Sequence, residues 1–444
     1  MSGYCLKRIS RYRFEQPTTQ HEKTRQTEEN KNRIITHPGI SKAEMADMRK
    51  NHENHRESSH RIDVFYPLLT HYGCKITEKS PKLWSLSQKI LTLHKKREVG
   101  KTQKHGCQMQ RINWIDWVKA WCMTVVVFCH LPQQEDTFYL QYLASVILSS
   151  FFFVSGYLTK PMISQKETLK KYGYSLLIPY LIYNAIYYPY WMVKYNLEHG
   201  GISFTDSLKP IFGTILLQLN TDFSCELNGV TWFLPALFLM HWITDVCNRQ
   251  KHGKSIMLFL TIISIILYGA NKCYHYAPFI TYHGFIRCLC FFFMGNLFQQ
   301  AGYLKNLSFQ KDLLIGTSTL LLSLGLFYWH IHEDIFILHI ILYYVVNFFS
   351  VFGIIYLCRS LDNLRLHIVT LISIGTMLIF GLHRILIGLI DFSIEKAFYL
   401  SDISYDWHEG IIIALTIEII LLPLVIWSQK RYPILLGKKP LYRK

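Results

Sequence analysis

From about residue 112 onward the chain repeats apolar stretches of roughly 20 residues, the length that an α-helix needs to cross the hydrocarbon core of a bilayer. Hydrocarbon offers the backbone no hydrogen-bond partners, so segments of this length have to satisfy their own peptide groups as helices. The sequence therefore predicts an all-α fold, a polytopic membrane helix bundle with about ten transmembrane helices. The ten apolar segments lie at 112–131, 139–158, 174–193, 230–246, 255–270, 280–299, 313–330, 335–358, 367–390 and 408–427.

The first 108 residues differ sharply in composition from the rest of the chain. They hold 22 Lys and Arg against 11 Asp and Glu, which leaves 25 against 19 for the remainder. Such a basic segment, poor in apolar residues, is expected to be disordered. A second interpretation is a mis-called upstream start, because Met109 opens "MQRINWIDWVKAW", a natural beginning for a first transmembrane helix. We predict a polar basic prefix over 1–108 and a membrane domain over 109–444, with no nucleic-acid partner.

Lys and Arg are distributed unevenly among the connections between the apolar segments. One alternate set of connections, together with the tail after 427, carries 17 Lys and Arg, whereas the other set carries only Lys209, Lys272 and Lys396. Cytoplasmic connections are enriched in these two residues. The alternation predicts a multi-pass protein of the cell membrane with both termini in the cytoplasm.

The first apolar segment, "KAWCMTVVVFCH", carries a lysine at one end and a histidine at the other. Titratable groups are costly in hydrocarbon and usually mark function there. Lys119 lies near the predicted cytoplasmic face, and His130 lies eleven residues on, about 16 Å further along a helix that rises 1.5 Å per residue. Asp116, one turn before Lys119, is placed to pair with it. A predicted interfacial aromatic belt near this end consists of Trp114, Trp117 and Trp121.

Several other polar or aromatic side chains are predicted at the same depth as His130, towards the outer face. Ionisable residues inside a membrane usually face the bundle interior or a water-filled cavity. We therefore predict a polar cavity that these residues share with His130. They are Trp232, Arg287, His383 and Arg384.

The stretch "WIDWVKAWCMTVVVFCH" resembles the opening helix of acyltransferase family 3, the membrane proteins that include O-antigen and fucose O-acetylases. Family members carry a basic residue, ten further positions and then a histidine, which are Lys119 and His130 here, although the usual basic residue is arginine. Five later stretches resemble family motifs in the expected order: "SSFFFVSGYL", "LLIPYLIYN", "GVTWFLPALF", "RCLCFFFMGNLF" and "SIGTMLIFGLHRILI". The resemblance covers residues 111 to about 440.

The resemblance implies a membrane-bound O-acyltransferase that moves an acyl group, usually acetyl, from acyl-CoA to a hydroxyl of a surface polysaccharide or its lipid-linked sugar precursor. Acyl-CoA would be the donor substrate, with no permanently bound cofactor and no metal. His130 would act as general base or acyl carrier, Lys119 and Asp116 would form the donor end of the helix, and Arg287 would stabilise the developing oxyanion. The expected substrate-binding residues are Trp232, Arg287, His383, Arg384 and Tyr157. The residues expected to receive the phosphates of coenzyme A are Lys160, Lys170 and Lys171.

Two other functional classes are compatible with the sequence. Ten spans with buried histidine and arginine also suit a transporter or flippase of glycans or small molecules, although we find no inverted-repeat pair of Gly- or Pro-broken helices. A membrane scaffold would leave the intramembrane histidine and arginine unexplained. Ser155 lacks a GxSxG context, so we expect it to pack helices together rather than act as a nucleophile. A disulfide between Cys225 and Cys273 is left open.

Overall fold

The computed structural model describes residues 111–132, 137–274, 280–304, 308–398 and 403–439. The predicted prefix over 1–108 lies outside the described residues. Within this part of the chain the sole β pairing is an isolated bridge between Thr221 and Ser224. The helices are α1 (Asn113–Cys129), α2 (Phe138–Tyr157), α3 (Gln165–Tyr172), α4 (Ile178–His199), α5 (Phe204–Ile215), α6 (Phe233–Asn248), α7 (Gly253–Tyr274), α8 (Ile280–Ala301), α9 (Phe309–His330), α10 (Phe336–Ser360), α11 (His367–Phe398) and α12 (Trp407–Arg431).

Each of the ten predicted apolar segments coincides with a helix, and α3 and α5 are shorter helices within connections. Six helices, namely α2, α7, α9, α10, α11 and α12, are long and apolar enough to cross a bilayer, which makes the chain a multi-pass membrane protein. Helices α1 and α6 contain 17 and 16 residues, a rise of about 25 Å against a hydrocarbon core of about 30 Å. Polar side chains such as Asn184 on α4 and Arg287 on α8 lower the mean hydropathy of those two helices. The count of ten crossings stays a prediction.

Helix α1 occupies the centre of the bundle, where it packs against α2, α10, α11 and α12. Thirteen of its 17 residues are buried, as expected for a helix that is apolar on all sides. The predicted tryptophan belt holds only in part, because Trp121 is 48% exposed but Trp114 is 6% exposed. The ring of Trp114 packs against that of Tyr157 with 5.5 Å between centroids. The belt prediction is wrong for Trp114, since neighbouring helices already cover α1 at that level.

The connections between helices gather at two ends of the bundle. At one end, called here the His130 end, the backbone N–H of Tyr405 donates to the carbonyl oxygen of Pro132 at 2.9 Å, which joins the connections after α1 and after α11. At the other, called the Asp362 end, the side-chain amide of Asn113 donates to the carbonyl oxygen of Asp362 at 2.7 Å, which joins the start of α1 to the α10–α11 connection. The connections joined at the His130 end belong to the set that is poor in Lys and Arg, and the α10–α11 connection at the Asp362 end belongs to the set that is rich in them. Which end faces the cytoplasm stays a prediction.

Helices α2 and α8 pack closely through two glycines. A Cβ atom added to Gly156 would lie 1.9 Å from the carbonyl oxygen of Phe292, and one added to Gly295 would lie 2.0 Å from that of Phe153. Neither backbone carbonyl can move aside as a flexible side chain would. The "VSGYL" stretch around Ser155 therefore brings two helix backbones together, as small residues do at membrane helix interfaces.

We expect Gly156→Leu to destabilise the bundle by about 3 kcal/mol, the upper end of the usual range for overpacking, because a side chain there overlaps the backbone of α8. The measurement is the melting temperature and the monodisperse yield of the purified protein. Gly325→Leu is the matched control, since a Cβ at Gly325 meets nothing within 4 Å. Equal behaviour of the two variants would contradict the close α2–α8 contact.

Candidate active site

Two histidine rings from different helices meet at the His130 end. His130 is the residue that ends α1, and His383 lies fully buried on α11. Their ring centroids are 5.1 Å apart and the rings are inclined at 66°. The contact brings together two residues that lie more than 250 positions apart in the sequence, and it confirms the prediction that they share one level of the bundle.

The hydrogen bonds of the two histidines determine which ring nitrogen is available for chemistry. Nδ1 of His130 lies 2.7 Å from the carbonyl oxygen of Val126, and Nδ1 of His383 lies 3.0 Å from that of Ile379. A carbonyl can only accept, so each Nδ1 carries the hydrogen and each Nε2 presents a lone pair. Nε2 of His383 is buried without a hydrogen-bond partner. An imidazole held in this way suits proton transfer to or from a bound hydroxyl.

Arg384 and Glu226 add charge beside the histidine pair. The guanidinium of Arg384 interacts electrostatically with His130 and His383, and also with the carboxylate of Glu226. Glu226 lies in the connection before α6, and its Oε2 atom is buried without a hydrogen-bond partner. Burial raises the pKa of Glu226, and the positive charge of Arg384 opposes that shift. Glu226 was not singled out from the sequence, since it lies in a connection outside the apolar segments.

Long-range hydrogen bonds hold the α5–α6 connection against α11. The side-chain amide of Asn228 donates to the carbonyl oxygen of Gly381 at 3.1 Å, two residues before His383. The side chain of Gln218 donates to Thr231 at 2.8 Å, and Gln218 itself has a positive φ of 65°. A non-glycine residue in this conformation costs energy and persists only where its surroundings require it. The connection is thus a fixed wall of the histidine site.

Cys225 in the same connection and Cys273 form no disulfide with each other. The disulfide that the sequence left open is therefore not formed in this structure.

Because the folded-state pKa of Glu226 is raised above its ordinary value of 4.5, the stability it contributes is present at low pH and is lost as pH rises through the raised value. We expect Glu226→Gln, which keeps the shape and removes the charge, to match the wild type near pH 4 and to melt at a higher temperature at pH 7. Melting curves across that range measure the difference. Asp222→Asn, at an exposed position of the same connection, controls for loss of a solvated carboxylate. A constant gap between Glu226→Gln and wild type at both pH values would contradict the prediction.

Lys119 and Asp116, predicted near the cytoplasmic face, lie on α1, the helix that ends at His130. Eleven residues are close to three helical turns, so Lys119 and His130 project from nearly the same face. The carboxylate of Asp116 accepts a hydrogen bond from Ser373 at 2.6 Å and so ties α1 to α11. The pairing of Asp116 with Lys119 stays a prediction.

A second acid that contacts α1 is Glu418 on α12, and the sequence analysis missed it. Its carboxylate accepts a hydrogen bond from Thr124 on α1 at 2.9 Å, and the residue is fully buried. A lone acid within the apolar run "IIIALTIEIILL" was the available signal.

Arg287 and Trp232 do not join the histidine pair directly. The guanidinium of Arg287 lies 5.9 Å from the ring centroid of Tyr343 on α10, and the ring of Trp232 abuts Gly284 on α8. The predicted shared cavity therefore separates into two groups of residues. Trp232 and its neighbour Phe233 stand between them, because Phe233 packs against Phe380 at 5.3 Å, one turn before His383.

Tyr157 lies at the Asp362 end rather than near His130, since its ring contacts Trp114 at 5.5 Å. A role for it beside the acceptor hydroxyl does not follow from this position. The reason is simple: α2 runs from the His130 end to the Asp362 end, and Tyr157 is its last residue.

The three predicted phosphate-binding lysines lie between the end of α2 and the end of α3, on residues 158–172, called here the lysine segment. Lys160 and Lys170 are exposed, and Lys171 is half-buried with its Nζ atom 4.7 Å from the ring centroid of Tyr172. Burial lowers the pKa of Lys171, and the nearby charge of Lys160 lowers it further. Two ammonium groups that repel each other form a site where an anion is favoured.

His241 lies beneath this lysine segment and was not singled out from the sequence. Its ring stacks on Tyr172 with 3.8 Å between centroids, and its Nδ1 atom lies 3.0 Å from the hydroxyl of Thr159. The guanidinium of Arg249 anchors the preceding loop by donating to the carbonyl oxygen of Met162 at 2.8 Å. The lysine segment is thus held firmly on α6.

The family model described as an acyltransferase domain matches residues 112–427. The chain belongs to acyltransferase family 3. No curated protein and no solved structure matches it significantly. The match begins one residue before α1 and ends within α12, so it covers both histidines of the site.

Membership of acyltransferase family 3 makes the chain a membrane acyltransferase and confirms the resemblance drawn from its motifs. An acyltransferase needs a base for the acceptor hydroxyl and a way to hold the donor. Among the described residues, the histidine pair offers imidazole nitrogens and the lysine segment offers ammonium groups.

Proposed function

We propose that the chain transfers an acyl group, usually acetyl, from acyl-CoA to a hydroxyl of a surface polysaccharide or of its lipid-linked sugar precursor. The observation that carries the proposal is the contact between His130 and His383, both with Nε2 available, at the end of the helix that also carries Lys119. A membrane acyltransferase with a pair of oriented imidazoles at one end of a central helix is suited to activating an acceptor hydroxyl.

In the proposed reaction Nε2 of His130 accepts the proton of the acceptor hydroxyl while the hydroxyl oxygen attacks the thioester carbonyl carbon. The carbonyl oxygen becomes negatively charged in the tetrahedral intermediate, and the guanidinium of Arg384 favours that charge. The carbon–sulfur bond then breaks, and the imidazolium of His130 returns the proton to the coenzyme A thiolate. The products are an ester and free coenzyme A, and the histidine is regenerated.

For the donor, we propose that the phosphates of acyl-CoA bind at Lys160, Lys170 and Lys171, with the thioester arm extended along α1 past Lys119 towards His130. Phosphate groups favour sites with closely spaced ammonium groups. The separation of about 16 Å between Lys119 and His130 is then bridged by the donor itself rather than by the protein.

We also propose that ten helices cross the membrane and that the Asp362 end faces the cytoplasm. The Lys and Arg bias of the connections supports this orientation. A reporter inserted beside Asp362 should be cytoplasmic and one inserted beside His332 should be external. The opposite labelling would overturn the orientation.

The acceptor class is tested by mass spectrometry of surface glycans from cells with and without the gene. We expect the glycans of gene-bearing cells to carry additional ester-linked acyl groups that mild base removes. Identical glycans in both strains, with the protein present in the membrane, would overturn the polysaccharide proposal.

A further inference from the structure

Arg287 is a buried guanidinium whose charge has no carboxylate partner among the described residues. The guanidinium hydrogen-bonds to the thiol of Cys288 and interacts electrostatically with Tyr268 and Tyr343, while its Nε atom is buried without a hydrogen-bond partner. Arg359 provides the contrast, because its guanidinium lies 3.6 Å from the carboxylate of Asp312. An unpaired buried charge is strongly unfavourable unless something satisfies it.

Lys272 places a second positive charge near Arg287 rather than a negative charge that would cancel the first. Lys272 on α7 and His283 on α8 both interact electrostatically with the guanidinium. The carboxylate of Glu333 is held in the α9–α10 connection, where it accepts hydrogen bonds from Trp329 at 2.9 Å and from the backbone of Ile335 at 3.0 Å, and it forms no ion pair with Arg287.

Three tyrosines form the apolar part of the same group. The ring of Tyr268 lies 5.4 Å from that of Tyr343 and 5.9 Å from that of Tyr344. The hydroxyls of Tyr343 and Tyr344 are buried without hydrogen-bond partners. Two adjacent tyrosine hydroxyls, and the Nε atom of the guanidinium that lies 5.9 Å from the Tyr343 ring centroid, thus lack hydrogen-bond partners. Native proteins leave few such groups unsatisfied, and each calls for an explanation such as a ligand.

We propose that Arg287, Lys272, His283, Tyr343 and Tyr344, called here the Arg287 cluster, bind an anionic group of the acyl acceptor, a carboxylate or a phosphate. The tyrosine rings offer faces to the adjoining sugar. An anion accepts hydrogen bonds from a guanidinium and from a tyrosine hydroxyl and also balances the positive charge of Arg287 and Lys272. The role as an acceptor site rests on the proposed function, whereas anion binding itself does not.

The position of the Arg287 cluster suits an acceptor that reaches the histidine pair. Trp232 abuts Gly284, one turn before Arg287, and stacks on Phe152 with 6.2 Å between ring centroids. Its neighbour Phe233 leads through Phe380 to His383. A layer of aromatic rings therefore lies between the Arg287 cluster and the histidine pair. The proposed acceptor spans this layer, with its anionic group at the Arg287 cluster and its reacting hydroxyl at the histidine pair.

The test measures ligand binding to the purified full-length chain in lipid nanodiscs without any acyl-CoA. The soluble probes are glucuronate, glucose 1-phosphate and glucose, and a polyprenyl phosphate incorporated in the nanodisc is the lipid-borne probe. We expect at least one charged probe to raise the melting temperature while glucose does not. Stabilisation by the soluble acids points to a charged sugar, and stabilisation by the polyprenyl phosphate alone points to the lipid-linked phosphate.

Arg287→Gln should weaken binding of the charged probe by about 10- to 100-fold, the loss of a charge-assisted hydrogen bond. Lys396→Gln is the matched control, because Lys396 also places a cation over an aromatic ring, at 5.8 Å from Phe392, but at an exposed position. Without ligand, Arg287→Gln should melt no lower than wild type, whereas Arg359→Gln should melt lower because it leaves Asp312 unpaired.

The proposal is overturned if no charged probe stabilises the wild type more than glucose does, or if Arg287→Gln binds that probe as well as Lys396→Gln. Equal destabilisation of Arg287→Gln and Arg359→Gln would likewise show a structural residue. Because no donor is present, none of these outcomes bears on whether the chain transfers acyl groups.

Discussion

Replacing His130 with alanine should lower the rate of acyl transfer by about 10²–10⁴-fold while leaving the amount of membrane-inserted protein unchanged. The variant loses the Nε2 lone pair that accepts the hydroxyl proton, and general acid–base catalysis contributes a factor of this size. The side chain sits at the end of α1 and is only half-buried, so its removal disturbs little packing. Initial rates, normalised to purified protein, measure the effect.

His332→Ala is the matched control for His130→Ala. His332 follows α9, and its Nδ1 atom contacts the carbonyl oxygen four residues earlier, Tyr328, at 2.6 Å, as His130 does with Val126. It lies at the same end, since Phe138 after the α1–α2 connection packs on Phe327 of α9. The control should keep the wild-type rate. Lower abundance of His130→Ala with a normal rate per molecule would mark His130 as structural.

Replacing His383 with phenylalanine should lower the rate by about 10²-fold, the lower end of the range for acid–base groups. Phenylalanine keeps an aromatic ring to pack against His130, although a larger one, and removes both nitrogens together with the hydrogen bond from Nδ1 to the carbonyl oxygen of Ile379. We treat His383 as a positioning residue that acts through the His130 ring, so the variant should also change the pH dependence of kcat.

A merely structural role for His383 would give a different result. The phenylalanine variant would then fold, melt near the wild-type temperature and transfer acyl groups with an unchanged pH profile. That outcome would mean that His130 acts as a base without help from His383. The interpretation that the two imidazoles act together would then be wrong.

The helices could be predicted because hydrophobic length is a strong and local signal. Each of the ten apolar segments coincides with a helix, and the Lys and Arg content of the connections separates the same two ends that hydrogen bonds such as Asn113 to Asp362 join. Charge and hydropathy act residue by residue, so both can be read without knowing which helices touch.

For the site, the sequence could predict only the depth of each residue along the membrane normal. Depth grouped His130 with His383, and the structure brings these two rings into contact, but depth carries no lateral information, and Arg287 packs on Tyr343 instead. Glu226 was not identified because its place depends on Asn228 reaching Gly381, a contact between residues 153 positions apart. Such contacts follow from packing rather than from local pattern.

The most direct test of acyl transfer is release of free coenzyme A thiol by the purified chain incubated with acetyl-CoA and the glycan fraction. An acyltransferase with a His130 centre releases one thiol for each ester formed on the glycan, and His130→Ala lowers both signals together by about 10²–10⁴-fold. A protein that carries glycans across vesicle membranes without releasing thiol or forming esters would contradict the account.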